Sequence, residues 1–310
     1  MAKVPVSFEW LSGCSGCELS LVDLHERLLK VLEEIDIVRL PILIDEKGYP
    51  NAAVGIITGA LRTEHDVECA KKMRETCGKI LAFGTCAVFG GPQGSGYAHT
   101  TGDLEKTAFV ENPTTETHFV PDEGLPKLLA EGVMPLDAAI DVDLYLPGCP
   151  PHAYYVFEAL RAVLHGGEPE FGPHNVCFKC PRHMEQSDVT HLRRVHEGPL
   201  EDGKCFLSQG VLCMGSATLD RCLAPCPERG APCTGCGGPS ESVVLEPNRD
   251  IRTEIANRVS MMTKIPRDQV VHAIEKQART YYAYAMASPV FRQKPTFLLR
   301  RWIAEEGTRR

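Results

Sequence analysis

Twelve of the 14 cysteines in this 310-residue chain fall into spacings that gather thiolates in fours, and no other feature constrains its fold as tightly. Cys14-Ser15-Gly16-Cys17 supplies one close pair. Its partners come from far along the chain: Cys86 in the run Gly84-Thr85-Cys86, and Cys149 in Pro147-Gly148-Cys149-Pro150-Pro151. Any fold that joins these residues must bring three distant loops to one edge. The other eight, Cys177, Cys180, Cys205, Cys213, Cys222, Cys226, Cys233 and Cys236, crowd into one stretch. A chain that collects thiolates in this way is built to hold metal, and several such sites point to electron movement rather than to one reaction centre.

Between the cysteines of the first half, strand and helix patterns alternate. Val4 to Trp10 reads as a strand. Glu18 to Glu33 reads as one helix with Leu19, Val22, Leu29 and Leu32 on a buried side. Ile35 to Leu40, Ala52 to Thr58 and Lys79 to Phe83 are short apolar runs suited to strands buried on both faces. Glu64 to Thr76 is polar and helix-length, and Asp141 to Leu146 followed by Tyr154 to Leu164 adds another strand and helix. This order implies an α/β domain with a doubly wound parallel sheet, in which ligands gather beyond the carboxyl ends of the strands. All three cysteine loops fall there. Cys17 just precedes a helix whose N-terminal amides favour an anionic cluster. Gly13, Gly16, Gly84 and Gly148 would let the backbone approach inorganic sulfur.

Two competing readings stand beside this one. Gly90-Gly91-Pro92-Gln93-Gly94-Ser95-Gly96 is glycine-rich beside a strand, as a phosphate loop would be. It matches neither Gly-x-Gly-x-x-Gly nor a Walker motif, so an ordinary turn is the simpler expectation. Structural zinc also takes four thiolates, but zinc ribbons assemble from two nearby pairs, whereas the first set here draws single cysteines from distant loops.

From His165 to Pro173 the chain reads as a linker, and the segment to Pro239 has little hydrophobic periodicity, so its order would come from metal. Beyond it, Ile251 to Met262 and Arg267 to Met286 look helical, the second with Val270, Ile274, Ala278, Tyr281 and Ala285 on one side and its tyrosines in a core. Cys69 and Cys77 are left over in the predicted helix Glu64 to Cys77 and read as buried structural thiols. The net charge of −8 gives no support for nucleic-acid binding by the whole chain. Arg249 to Arg310 nevertheless holds 13 Lys/Arg against 6 Asp/Glu, a basic tail on an acidic body. No secretory leader pattern and no long apolar run is found, so a cytoplasmic location is expected, where clustered thiols stay reduced and bind metal.

Leu11-Ser12-Gly13-Cys14-Ser15-Gly16-Cys17-Glu18, Gly84-Thr85-Cys86-Ala87-Val88-Phe89-Gly90-Gly91 and Pro147-Gly148-Cys149-Pro150-Pro151 together resemble the small subunit of [NiFe] hydrogenases, a family related to the cluster-bearing subunit of respiratory complex I. Cys213-Met214-Gly215, Cys222 and Pro232-Cys233-Thr234-Gly235-Cys236 resemble the hydrogenase branch, in particular the cytoplasmic methyl-viologen-reducing (F420-non-reducing) group that works with heterodisulfide reductase. The resemblance covers roughly residues 4 to 240.

It implies a flavodoxin-like domain over 1–165 with a proximal [4Fe-4S] cluster on Cys14, Cys17, Cys86 and Cys149. A domain over 174–240 would carry a distal [4Fe-4S] cluster on Cys177, Cys180, Cys205 and Cys213, and a medial one on Cys222, Cys226, Cys233 and Cys236. A helical extension would follow over 241–310. Hydrogen would be split in a large-subunit partner, and no catalytic residue is expected in this chain. Electrons would pass through three [4Fe-4S] clusters to an iron–sulfur or flavin partner such as a heterodisulfide reductase complex. A NAD(P)- or sulfur-linked soluble hydrogenase is the alternative within the family, and a zinc-bound structural module the alternative outside it.

Two departures from the periplasmic pattern stand out: Cys177 replaces a common histidine ligand, leaving His174 as a surface residue, and Cys226 replaces a common proline, completing a four-iron medial site. No twin-arginine leader is seen, and the ferredoxin-like cysteine run of F420-reducing relatives is missing. Glu18 either favours the helix N-terminus or lies at the subunit interface near a proton route.

Overall fold

The computed structural model describes residues 3–41, 43–116, 118–167, 169 and 171–293. They form two compact units, one of residues 1–170 with 286–289 and the other of the remaining chain.

The first unit is built on five parallel strands: β1 (Val4–Trp10), β2 (Ile35–Arg39), β3 (Ala52–Thr58), β4 (Cys77–Phe83) and β5 (Leu144–Leu146). Their spatial order is β2-β1-β3-β4-β5, so connections run in opposite directions on either side of the β1/β3 boundary. That boundary is the topological switch point of a flavodoxin-like sheet, where strand ends splay and leave a crevice for ligands. The apolar runs of β3 and β4 are buried as expected, with Ile56, Ile57, Ile80 and Ala82 almost inaccessible.

The helix expected over Glu18 to Glu33 is two helices, α1 (Gly16–Val22) and α2 (Glu26–Glu34). The chain turns between them at His25, whose φ of 51° cannot continue a right-handed helix. The break resets the helical phase. Leu19, Val22 and Leu29 therefore face solvent at 63%, 60% and 64% exposure, and Leu24 and Val31 are buried in their place.

Helix α3 (Glu64–Thr76) has the predicted bounds. Its start is fixed by a capping box in which Thr63 Oγ1 accepts the Asp66 N–H and Asp66 Oδ2 accepts the Thr63 N–H. Cys77 is not its last residue but the first of β4, because the N–H of Cys77 closes the helix on Met73 and extended backbone begins there. Short helices α4 (Thr85–Phe89) and α5 (Thr101–Glu105) follow, then α6 (Ala153–His165), which starts on His152 and stops at Gly166 in left-handed geometry.

The second unit is mostly irregular up to Pro239, held by 3-10 turns, isolated bridges and the short helix α7 (Pro225–Glu228), with a second short helix, α8 (Glu241–Leu245), just beyond. Its longest helix, α9 (Ile251–Met262), has the predicted bounds and is capped reciprocally by Asp250 and Thr253. The helix expected over Arg267 to Met286 stops earlier, as α10 (Arg267–Lys276), and after a break at Gln277 continues as α11 (Ala278–Tyr281). Val270, Ile274 and Ala278 are buried as the pattern requires, and the buried tyrosine is Tyr282, whose hydroxyl donates to Asp250 Oδ1 at 3.2 Å. Residues 294–310 of the basic tail lie outside the described residues. No described helix is long and apolar enough to cross a membrane.

Candidate metal centres

Three loops beyond the carboxyl ends of β1, β4 and β5 converge in the first unit. The Leu11 N–H reaches Thr58 O and the Ala60 N–H reaches Ser12 O, which carries the β1 loop across the end of β3. Gln93 Nε2 and Asp66 Oδ2 hold Ser12 from the other side. The β4 and β5 loops are laced together by the Gly84 N–H to Leu146 O, the Thr85 N–H to Gly148 O, and the Gly148 N–H to Thr85 Oγ1, each at 2.8 Å. Thr85 is thus the residue that ties the Cys86 turn to the Cys149 turn. In the sequence it stands out only as a neighbour of Cys86.

Cys14, Cys17, Cys86 and Cys149 meet here. Burial raises the Cys17 thiol well above its ordinary value, and the negative fields of Glu18, Cys86, Cys149 and Cys14 raise it further. Burial pushes Cys86 up to about 12, with added repulsion from Cys149 and Cys14. Cys17, Cys86 and Cys149 are half-buried and Cys14 is exposed, and partly desolvated thiols that repel one another as anions need a cation to become thiolates. Glycines make room for them. A Cβ on Gly84 would lie 2.2 Å from Cys17 Sγ, and one on Gly91 would lie 2.5 Å from Cys86 Sγ. Both glycines have positive φ, at 91° and 56°. Ser15, between Cys14 and Cys17, adopts φ 64° without being glycine. Strain of this kind clusters at ligand-binding turns.

The run Gly90 to Gly96 serves packing: a Cβ on Gly90 or Gly94 would overlap Ala287 at 2.5 and 2.7 Å. Glu18, in the first turn of α1, accepts the hydroxyl hydrogen of buried Thr58. Cys69 and Cys77 lie away from this set, both buried, with Cys77 Sγ filling the space beside Gly55 in β3.

In the second unit, Cys177, Cys180, Cys205 and Cys213 line one cavity together with Phe206, Gly215 and Ser216. Burial pushes the Cys177 thiol up to about 12, helped by the charges of Cys213, Cys205 and Cys180 and opposed by Arg258. Burial likewise takes Cys213 to about 11, although backbone N–H groups of Gly215 and Cys233 pull it down. A Cβ on Gly215 would stand 3.2 Å from Cys177 Sγ and 3.7 Å from Cys213 Sγ.

Arg182 staples this region. Its Nε donates to Pro227 O at 2.8 Å and a terminal nitrogen to Lys204 O at 3.0 Å, while the guanidinium lies over Phe206 at 4.2 Å. One side chain thus fixes the loops carrying Cys180, Cys205 and Cys226. His174 stacks on Phe178 at 3.9 Å with its ring exposed to solvent.

The last four cysteines stand as two pairs. Cys222 and Cys226 share a field around α7, and the N–H groups of Cys222 and Leu223 are held by buried Asp220 Oδ1 at 3.3 and 3.1 Å. Leu223 and Ala224, between these cysteines, have φ of 61° and 56°, the strain seen again beside candidate ligands. Cys233 shares a field with Cys236 and with Cys213, and its N–H donates to Cys213 Sγ at 3.2 Å. Among the described residues, no group of three or more His, Cys, Asp or Glu is placed to hold a single metal ion. The glycine gaps against Cys17, Cys86 and Cys177, the buried thiols and the soft donor set fit iron–sulfur clusters.

Residues 14–163 match the protein family described as NADH ubiquinone oxidoreductase, 20 Kd subunit. A component of the F420-non-reducing vhu hydrogenase of Methanococcus voltae is 38% identical over 242 residues, spanning 78% of this chain and 84% of the relative. This chain belongs to that family of [NiFe] hydrogenase small subunits. The corresponding component of the F420-non-reducing hydrogenase of Methanothermobacter marburgensis is 34% identical over 301 residues, covering 94% of this chain and 97% of the relative. Among solved structures, a chain of an NAD+-reducing [NiFe]-hydrogenase in the H2-reduced state is 33% identical with a TM-score of 0.53, covering 55% of this chain and 96% of that one. The hydrogenase small subunit is an iron–sulfur, electron-transfer component of an oxidoreductase, and it pairs with a large subunit that bears the nickel–iron site.

Proposed function

We propose that this small subunit carries electrons from H2 oxidation in the large subunit through three [4Fe-4S] clusters to a downstream iron–sulfur or flavin partner of the heterodisulfide reductase type, in the cytoplasm. Cys14, Cys17, Cys86 and Cys149 hold the proximal cluster within a domain of residues 1–165. Cys177, Cys180, Cys205 and Cys213 hold the distal one, and Cys222, Cys226, Cys233 and Cys236 the medial one, within residues 174–240. The described part of the extension expected over 241–310, residues 241–293, is largely helical. The clusters supply one-electron carriers, and the chain's own residues position thiolates, exclude water and supply N–H donors to sulfur.

The observation that carries this reading is the convergence of thiol-bearing loops: the laced Cys86 and Cys149 turns with Gly84 against Cys17 in the first unit, and the single cavity lined by Cys177, Cys180, Cys205 and Cys213 in the second. The contact from the Cys233 N–H to Cys213 Sγ supports adjacent medial and distal sites. Full-length similarity to the F420-non-reducing hydrogenases favours the heterodisulfide-linked branch over the NAD-linked one, whose solved chain corresponds to 55% of this chain. The exposed Leu19, Val22 and Leu29 on α1 and α2, next to the proximal thiols, favour that face as the seat of the large subunit.

Iron and acid-labile sulfide analysis of the purified complex, with identification of its co-purifying chains, tests the proposal. About twelve iron atoms per small subunit, a hydrogenase large subunit and an iron–sulfur or flavin acceptor are expected. Stoichiometric zinc, or hydrogen uptake by this chain freed of any large subunit, would refute it.

A further inference from the structure

Ser216 is 2% exposed, and its hydroxyl has no hydrogen-bond partner among the described residues. It lies in a 3-10 turn, Gly215 to Ala217, where a serine ordinarily bonds back to a carbonyl three or four residues earlier. Thr218, two residues on, does this with Met214 O at 2.6 Å. Ser216 does not. An unsatisfied buried hydroxyl is destabilising, a penalty that alanine at the same place would not carry. The residue instead lines the cavity shared by Cys177, Cys180, Cys205 and Cys213, whose other walls include Val176, Phe206 and Leu207. Its neighbour Gly215 lies against the sulfurs of Cys177 and Cys213. The acceptor that this hydroxyl lacks is therefore one that occupies the cavity, and the four thiols around it select sulfur.

We propose that the Ser216 hydroxyl donates a hydrogen bond to sulfur of the distal cluster and so sets that cluster's potential. The inference rests on the assignment of Cys177, Cys180, Cys205 and Cys213 as the distal ligands. Ser216 ligates nothing; it tunes. A donor to cluster sulfur stabilises the added electron and raises the potential, which eases arrival of electrons at this site. The N–H groups of Gly215 and Cys233 already act on the Cys213 sulfur, and Ser216 adds a donor that side-chain substitution can remove.

The test is an electron paramagnetic resonance redox titration of the complete hydrogenase complex carrying Ser216→Ala, with electron–nuclear double resonance of the distal signal in H2O and D2O. The expected result is a distal potential shifted negative and the loss of one exchangeable proton coupling, with the proximal and medial signals unmoved. An unshifted potential with an unchanged exchangeable-proton pattern would overturn the proposal. Should Ser216→Ala fail to assemble, the native enzyme decides, because a distal signal with no exchangeable coupling beyond those of backbone amides also overturns it. Cys205→Ser separates the two layers of argument. If it leaves the distal signal untouched, the ligand assignment itself has failed and the Ser216 proposal falls with it; if it alters that signal while Ser216→Ala does not, only the tuning role is refuted.

Discussion

Gly84→Ala is the sharpest probe of the proximal site. Gly84 has φ 91°, a conformation that costs an alanine about 1–2 kcal/mol. The added Cβ would also lie 2.2 Å from Cys17 Sγ, where an ordinary contact begins near 3.4 Å. The sulfur must retreat by about 1 Å, and overpacking of that kind costs about 1–3 kcal/mol. Retreat is opposed on the Gly84 side by the Gly84 N–H to Leu146 O bond and the Thr85 lacing, which hold the backbone in place. The combined penalty of about 2–5 kcal/mol falls on the geometry that receives the cluster, so retention should weaken by roughly 30-fold to several thousand-fold. The assay is the rate of iron loss to a chelator from the purified complex, with the proximal signal followed by electron paramagnetic resonance. Gly102→Ala is the control, since Gly102 sits in α5 with no atom within 4 Å of its added Cβ, and it should be neutral or slightly stabilising. Equal chelator resistance in Gly84→Ala and native enzyme would refute the reasoning that Cys17 needs the space beside Gly84.

Cys226→Pro should convert the medial site to [3Fe-4S]; Cys226 lies in the first turn of α7, where proline is tolerated, so a new oxidised-state resonance with the complex intact is expected and an unchanged spectrum would remove Cys226 from the ligand set. Cluster retention should rise with pH: burial holds Cys86 and Cys177 at about 12 and Cys213 at about 11, so without metal the thiols are protonated at neutral pH, binding displaces protons, and acidification favours release. Chelator challenge across neutral pH checks the sign, and pH-independent retention would contradict it. Arg39→Ala should destabilise the first unit by about 3–5 kcal/mol, because it strands buried Glu9, which now meets Arg39 at 2.6 Å; thermal unfolding compared with Arg39→Ala/Glu9→Gln, which should recover most of the loss, reads the effect.

The sheet is legible in the sequence because its strands are apolar on both faces and its loops carry cysteines at regular points of the strand–helix alternation. Ala52 to Thr58 has its predicted bounds for that reason, and Glu64 to Thr76 has its bounds because the Thr63–Asp66 capping box and the Cys77 N–H to Met73 O bond close its two ends. The pattern after Cys17 misleads because Leu19, Val22, Leu29 and Leu32 fit one helical face only if the chain is continuous, and the turn at His25 depends on tertiary context. Leu19, Val22 and Leu29 look like core residues by pattern but are exposed. Cys77 reads as helical because nothing local separates it from Thr76; its strand pairing with Ala52 lies 25 residues away in sequence. Arg182, Asp220 and Thr85 carry no sequence signal beyond nearness to cysteines, since their work is done through backbone carbonyls and amides that only the folded loops bring near.

The second unit shows how a region poor in apolar periodicity can still present thiols in order. Gln209 Nε2 bonds the carbonyls of Glu201 and Lys204, Arg182 bonds those of Lys204 and Pro227, and Asp220 holds the amides of Cys222 and Leu223. Each polar side chain is a staple across a loop, satisfying backbone groups that regular structure would otherwise pair. The staples stop short of the sulfurs: Cys213 is buried and Cys177 half-buried, and the two, mutually repelling once ionised, are left to be neutralised by what they bind. The wall between the two proposed clusters of this unit is as thin as a peptide allows, because the Met214 N–H reaches Cys233 O at 2.9 Å and the Cys233 N–H reaches Cys213 Sγ at 3.2 Å. Cys233 would then ligate one cluster through its thiolate while its amide donates to a ligand of the other. With clusters bound as proposed, adding an electron to either site would change the field at this shared residue, and the two potentials would be coupled through it.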